Sequence, residues 1–118
     1  MGKKLKPILP SLREKKRYLA FEVLSKDKME FNEVANAVWG SSLQFMGQLG
    51  TAKAGIWLLP DKWNQSIKRG LIKVNHKHVD NLRAALTLID DIKGEDVIVR
   101  SVGISGILNK AEKRYLTA

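Results

Sequence analysis

Hydrophobic positions change their spacing repeatedly along this chain, and each change marks an element. From Arg17 to Leu24 they alternate, with Leu19, Phe21 and Val23 on one side and Tyr18, Ala20 and Glu22 on the other. That period of two predicts a strand with one buried face. Asp27-x-x-Glu30 then offers a helix start, because Asp can cap and a Glu three residues on can reach back. Phe31, Val34, Val38, Phe45 and Leu49 follow at helical spacing, interrupted by Gly40 and closed by Gly50. Two apolar stretches come next, 54–59 and 67–74, separated by the turn-forming Pro60-Asp-Lys-Trp-Asn-Gln65, which predicts a hairpin. Val79, Leu82, Leu86, Ile89 and Ile92 predict a second amphipathic helix stopped by Gly94. Residues 97–102 read as a fourth strand and 109–116 as a short terminal helix.

The resulting order, β-α-β-β-α-β with a final helix, predicts an α+β fold of ferredoxin-like (RNA-recognition-motif-like) type. Two helices would cover one face of a four-stranded antiparallel sheet and leave the opposite face free. The third strand is central in that topology. With Ile72 and Val74 toward the helices, Arg69 and Lys73 fall on the open face near Tyr18. Ahead of this domain, 15–118, residues 1–14 read as a basic extended arm, since Pro7 and Pro10 hold their neighbours extended.

Charge gives this architecture a direction. Residues 1–17 carry Lys3, Lys4, Lys6, Arg13, Lys15, Lys16 and Arg17 against Glu14 alone, a net +6 of the chain's +9. Residues 66–78 add +4 through Lys68, Arg69, Lys73 and Lys77, and 107–118 add +2 through Lys110, Lys113 and Arg114 against Glu112. If these three segments meet in space they form one basic surface, and nucleic acid is the expected polyanion. The 118 residues suffice for one domain, and the 44% hydrophobic content for a core. Cysteine is absent, which excludes disulfides, thiolate metal sites and a cysteine nucleophile. No apolar run approaches the ~20 residues of a membrane span, and no apolar segment follows the N-terminal charges as in a secretory signal. A cytoplasmic protein is the expectation.

Catalytic constellations are weak. His76 and His78 have no third metal ligand in view. Asp90-Asp91 and Glu95-Asp96 flank Gly94 and read as a solvated turn before a Mg²⁺ pair. Gly103-Ile-Ser-Gly106 is too short for a phosphate loop, and close backbone packing is the default for such glycines. No catalytic residue and no metal site is expected. The third strand lacks the aromatics that stack bases in RNA-recognition motifs; Tyr18 alone is available, to stack one base or to pack on a neighbour. Trp39 and Trp57 fall in periodic segments and read as packed. Trp63, in the hairpin loop, either anchors a protein partner or stacks on RNA, or else folds back over the hairpin. On the first helix Trp39, Leu43 and Met46 lie off the main apolar line, as expected of a partner-facing stripe or of a well-covered central helix.

Four strings carry a resemblance. Pro10-Ser-Leu-Arg-Glu-Lys-Lys-Arg-Tyr-Leu-Ala20, Leu49-Gly-Thr-Ala-Lys53, Arg83-Ala-Ala-Leu-Thr-Leu-Ile89 and Val102-Gly-Ile-Ser-Gly106 resemble, in order, segments of the archaeal ribonuclease P protein component 2 family. The resemblance spans roughly residues 10–110. It implies a subunit of the ribonucleoprotein that removes 5′ leaders from precursor tRNA. In that enzyme the RNA performs the hydrolysis with Mg²⁺, and the protein itself binds no cofactor. It further implies pairing with protein component 3 in a two-plus-two assembly, other ribonuclease P protein subunits nearby, and precursor tRNA reached indirectly. The alternative class is a stand-alone ferredoxin-like RNA-binding or ribosomal protein. A small-molecule-sensing domain would gain nothing from the basic arm, and an autonomous nuclease needs a carboxylate or histidine cluster that the chain does not assemble.

Overall fold

The computed structural model describes residues 15–117; the basic arm expected over 1–14 lies outside them. Four strands form the main sheet: β1 (Lys16–Leu24), β2 (Trp57–Leu58), β3 (Arg69–Asn75) and β6 (Ile98–Ser105). Their order is β2-β3-β1-β6, and all neighbours are antiparallel. This is the expected ferredoxin-like order, with β1 and β3 at the centre. Two short strands, β4 (Asp91–Ile92) and β5 (Glu95–Asp96), make a separate hairpin. The helices are α1 (Phe31–Ala54), α2 (Val79–Thr87) and α3 (Leu108–Ala111), the last continuing as a wider turn over Glu112–Leu116.

The main core lies between one sheet face and helices α1 and α2. Leu19, Phe21 and Val23 of β1 and Ile72 and Val74 of β3 meet Val34 and Val38 of α1 and Leu82 and Leu86 of α2. Full burial of each large aliphatic side chain contributes about 1.5–3 kcal/mol, so this layer dominates stability. At Gly70 the helix-side face of β3 has no side chain, and a Cβ there would lie 3.0 Å from both Phe21 and Trp63. Those rings stack with centroids 6.0 Å apart. The loop tryptophan Trp63 therefore folds back into the core and donates its indole N–H to Gln65.

The helix boundaries differ from those expected. A capping box does start α1, but between Glu30 and Glu33 rather than from Asp27. Gly50 does not end the helix: Gly47 breaks it internally with φ 76°, and Gly55, at φ 61°, caps its C-terminus. The two segments fold together there, with Thr51 Oγ1 donating to the Ser42 carbonyl. Phe45 and Leu49 are exposed rather than buried. Between Phe31 and the break α1 is ~24 Å long, whereas the nine residues of α2 span only ~14 Å. Past Ser41, which donates to the Ala85 carbonyl, α1 has outrun its partner. The second helix stops at Thr87, and Gly94 turns the β4–β5 hairpin, with Lys93 and Gly94 both at positive φ. Ile89 and Ile92 are buried as expected, but from loop and hairpin positions.

The other sheet face is not free. The C-terminal helix lies across part of it, enclosing Ala20, Leu71, Ala111 and Leu116 with Tyr18, Val102, Leu108 and Tyr115 around them. The Tyr115 ring sits directly over Gly103 of β6, where no Cβ fits, beside a register shift between Ala20 and Phe21. Polar contacts fasten the same segment: Lys62 pairs with Glu112 at 3.2 Å, and Asn64 donates to the Leu116 carbonyl at 2.7 Å. Arg69 donates both to the Tyr115 carbonyl and to Glu22, which also accepts from Arg100 at 2.7 Å. Burial alone would raise the Glu22 carboxyl's pKa. The hydrogen bonds and charges of Arg100 and Arg69 outweigh it and hold the group below the ordinary glutamate value.

Gly103→Ala should destabilise the protein by about 1–3 kcal/mol, because the added methyl must displace Tyr115. Urea unfolding should show the loss, and trypsin should cut more readily at Lys113 and Arg114; unchanged stability would show that the ring is not held there. Glu22→Gln tests the ion pairs. A folded-state pKa below the unfolded one stabilises the fold above the unfolded value, about 4.3, and that stability disappears as pH falls through the folded value. The variant should be less stable by on the order of 1–2 kcal/mol at neutral pH. The gap to wild type should close as the medium is acidified below about pH 4.

Candidate nucleic-acid interface

The antiparallel register brings specific strand ends together. Lys16, at the start of β1, lies opposite Asn75 at the end of β3, and Tyr18 lies opposite both Lys73 and Ser105 near the ends of β3 and β6. Trp57, which opens β2, is opposite Lys73. The junction is closed by His76, whose backbone N–H donates to the Lys15 carbonyl at 2.8 Å and whose Nδ1 lies 3.1 Å from the same oxygen. One end of the sheet therefore gathers Lys15, Lys16, Arg17, Tyr18 and Lys73.

On this end Lys15 and Lys16 are exposed, and Arg17 and Lys73 half-exposed. Among the described residues none of the four has an ion-pair partner. The Arg17 guanidinium donates to the Lys16 carbonyl and reaches toward Gly106, 3.6 Å from where a Cβ would stand. Beside it Ser105, Lys110, Lys113 and Arg114 line a concavity of about 430 Å³. The N-terminal and C-terminal basic segments thus do meet. Tyr18 is half-buried against the second core cluster, which limits the face it offers a base.

The central basic segment, by contrast, is divided. Arg69 lies on the same face as Lys73 but at the opposite end of the sheet, bound to Glu22 and the Tyr115 carbonyl. Lys68 donates to the carbonyl and hydroxyl of Ser25 at 2.7 and 2.9 Å. Both cations are tied to the fold: Arg69 is on the sheet face expected for it, but it lies opposite Glu22 and not near Tyr18. Lys3, Lys4, Lys6 and Arg13 fall outside the described residues.

Other candidates resolve into structural roles. Glu95 accepts from the backbone of Lys26 and Asp27, and those bonds lower its pKa. Asp91 accepts from Gly94 in the hairpin turn. Glu33 pairs with Lys93 at 2.7 Å, which lowers the carboxyl and raises the ammonium. His78 has a buried Nδ1 without a partner. No group of three or more metal-ligating side chains is present among the described residues, and no helix there is long and apolar enough to cross a membrane.

The stripe on α1 also needs redrawing. Trp39 is 45% exposed, Leu43 is half-buried, and Met46 packs against the main core. On α1 the exposed large apolar side chains are Trp39, Phe45 and Leu49 (69% exposed), and Leu88, just past α2, is exposed too. Trp63, being in the core, is not among them. Sequence periodicity assigned Phe45 and Leu49 to the core; the shortness of α2 leaves Phe45 bare, and the break at Gly47 takes Leu49 off the core line.

A family model described as the Rpp14/Pop5 family matches residues 17–116. The chain is 39% identical to ribonuclease P protein component 2 of Pyrococcus abyssi, over 97% of this chain and 95% of that protein. It is 36% identical to the protein of the same name from Pyrococcus furiosus over 99% and 96%, and 35% identical to that of Methanocaldococcus jannaschii over 95% and 81%. Among solved structures, a chain in the cryo-electron microscopy structure of yeast ribonuclease MRP shares the fold, with a TM-score of 0.60 at 14% identity over 88% of this chain and 87% of that one. On the match of family model and relatives across nearly its whole length, the chain belongs to the Rpp14/Pop5 family of ribonuclease P protein subunits.

Proposed function

We propose that this chain binds and stabilises the catalytic RNA of ribonuclease P, together with protein component 3, for removal of 5′ leaders from precursor tRNA. The observation that carries the reading is the end of the sheet where, among the described residues, Lys15, Lys16, Arg17 and Lys73 have no acidic partner, near the concavity lined by Lys110, Lys113 and Arg114. Folding a large RNA crowds phosphates together, and their repulsion raises the Mg²⁺ the folded form requires. Cations fixed on a rigid sheet offset that repulsion at set places and release counterions on contact. Mg²⁺ and the hydrolytic chemistry belong to the RNA in this reading; the protein supplies position and charge. Exposed apolar side chains on and beside α1, Trp39, Phe45, Leu49 and Leu88, are the contacts proposed for component 3.

The deciding experiment is precursor-tRNA cleavage by the cognate RNA at limiting Mg²⁺, with component 3 alone and then with this chain added. Cleavage that requires both proteins is expected. Salt-sensitive RNA binding without any gain in cleavage would favour a stand-alone RNA-binding protein.

Two variants separate interface cations from structural ones. Replacing Lys15, Lys16 and Arg17 together by Ala should lower the log–log salt slope of RNA binding by roughly 0.7–0.9 for each phosphate that is no longer neutralised, and raise the Mg²⁺ optimum. Arg69→Ala should leave that slope unchanged while lowering stability, since its guanidinium is bound within the fold. A reversed pattern would place the interface at the other end of the sheet.

A further inference from the structure

The basic end of the sheet also holds an uncovered aromatic ring. Trp57 is 65% exposed on the edge strand β2. Directly opposed residues on neighbouring strands share a face, so Trp57, Lys73 and Tyr18 form one row across β2, β3 and β1. Lys16, two residues before Tyr18, is on that face too. Its ammonium lies over Gly55, where a Cβ would stand only 3.0 Å from Nζ. Gly55 caps the C-terminus of α1, and the carbonyls there carry partial negative charge, which favours an ammonium at that spot. Lys16, Gly55, Trp57, Leu59 and Lys73 together line an open concavity of about 370 Å³.

We infer that this concavity receives one unpaired nucleotide of the bound RNA, its base stacked on Trp57 and its flanking phosphates on Lys16 and Lys73. The inference deepens the proposed RNA-binding role and rests on it. A ring with an exposed face beside two ammonium groups that have no ion-pair partner among the described residues suits a ligand that is flat, apolar on its faces and anionic along its edge. An apolar protein surface would instead strip water from both ammonium groups and return nothing to them. A base within a duplex has its faces already covered, so the occupant is single-stranded. The site is distinct from the stacking positions of RNA-recognition motifs on the central strands, because the ring comes from the edge strand.

The test uses the full chain, a labelled oligouridine of about eight nucleotides, and a duplex RNA of similar length. Trp57→Ala should weaken single-strand binding by about 5- to 150-fold, the range for loss of one stacked base, and change duplex binding by less than about twofold. Trp57→Phe should keep most of the affinity, since a ring remains. Saturating oligouridine should quench tryptophan emission in the wild type and lose most of that quenching in the Phe variant. Lys73→Ala should lower the single-strand salt slope by roughly 0.7. Single-strand affinity unmoved by Trp57→Ala, with salt-sensitive RNA binding intact, would overturn the nucleotide site and leave the RNA-binding role standing. Binding to duplex but not to single strand would overturn it in the same way. Failure of the wild-type protein to bind either RNA would remove both.

Discussion

Burial of β1 on both faces is the constraint from which the rest of this structure follows. The strand is central and hydrogen-bonded on both edges, and Leu19, Ala20, Phe21 and Val23 are buried along its middle. Leu19, Phe21 and Val23 satisfy one face by packing under two helices. The other face alternates Tyr18, Ala20 and Glu22, too mixed to be covered by a second full layer and too apolar at its middle to stay bare. The protein resolves this by sections. A short helix docks where Ala20 and Gly103 leave room, and a tyrosine ring replaces the missing side chain. Two arginines neutralise Glu22 at one end, and the other end remains solvated and basic.

That division explains why net charge is a poor guide to the interface here. Arg69, Arg100, Lys68 and Lys62 all contribute to the formal +9, yet each is held by an acid or a carbonyl of the fold. A cation already paired releases no counterion on meeting a phosphate and adds little to the salt dependence of binding. The charge left for a polyanion is the remainder without an ion pair among the described residues, and the register of β1, β3 and β6 gathers Lys15, Lys16, Arg17 and Lys73 at the end where β1 begins.

Much of the architecture was legible in the sequence because alternating and helical spacings are local signals. β1, the order of the elements and the antiparallel ferredoxin-like sheet followed from them directly. What was not legible depended on relative lengths and on contacts distant along the chain. Ile89 and Ile92 keep helical spacing from Leu86, and nothing local says that they are buried by a hairpin instead. Gly47, Gly50 and Gly55 all resemble helix ends, and only tertiary packing selects Gly55 as the cap and Gly47 as the break. Phe45 follows the core periodicity of α1, but the helix it must pack against has ended, and Leu49 lies past the break at Gly47. The covered second face was missed for a related reason: a C-terminal helix was visible, but its docking depends on Gly103, whose only local signal was a Gly-x-x-Gly of low specificity.

Trp57 leaves the packed place expected of it, and Trp63 takes the folded-back one of its two, for the same kind of cause. Trp63 sits in a polar loop, yet Gly70 leaves a gap beside Phe21 that a ring fills, and burial of so large an apolar surface outweighs its loop context. Trp57 sits in an apolar run, but β2 is only two residues long and lies at the edge, beyond the reach of the C-terminal helix. A tryptophan left bare at a sheet edge beside two unpaired lysines adds a short-range, geometry-dependent attraction to a surface otherwise governed by screened charge. Charge alone would draw any phosphate backbone to this end of the molecule. In the proposed nucleotide site, it is the ring that would distinguish RNA with an exposed base from RNA without one.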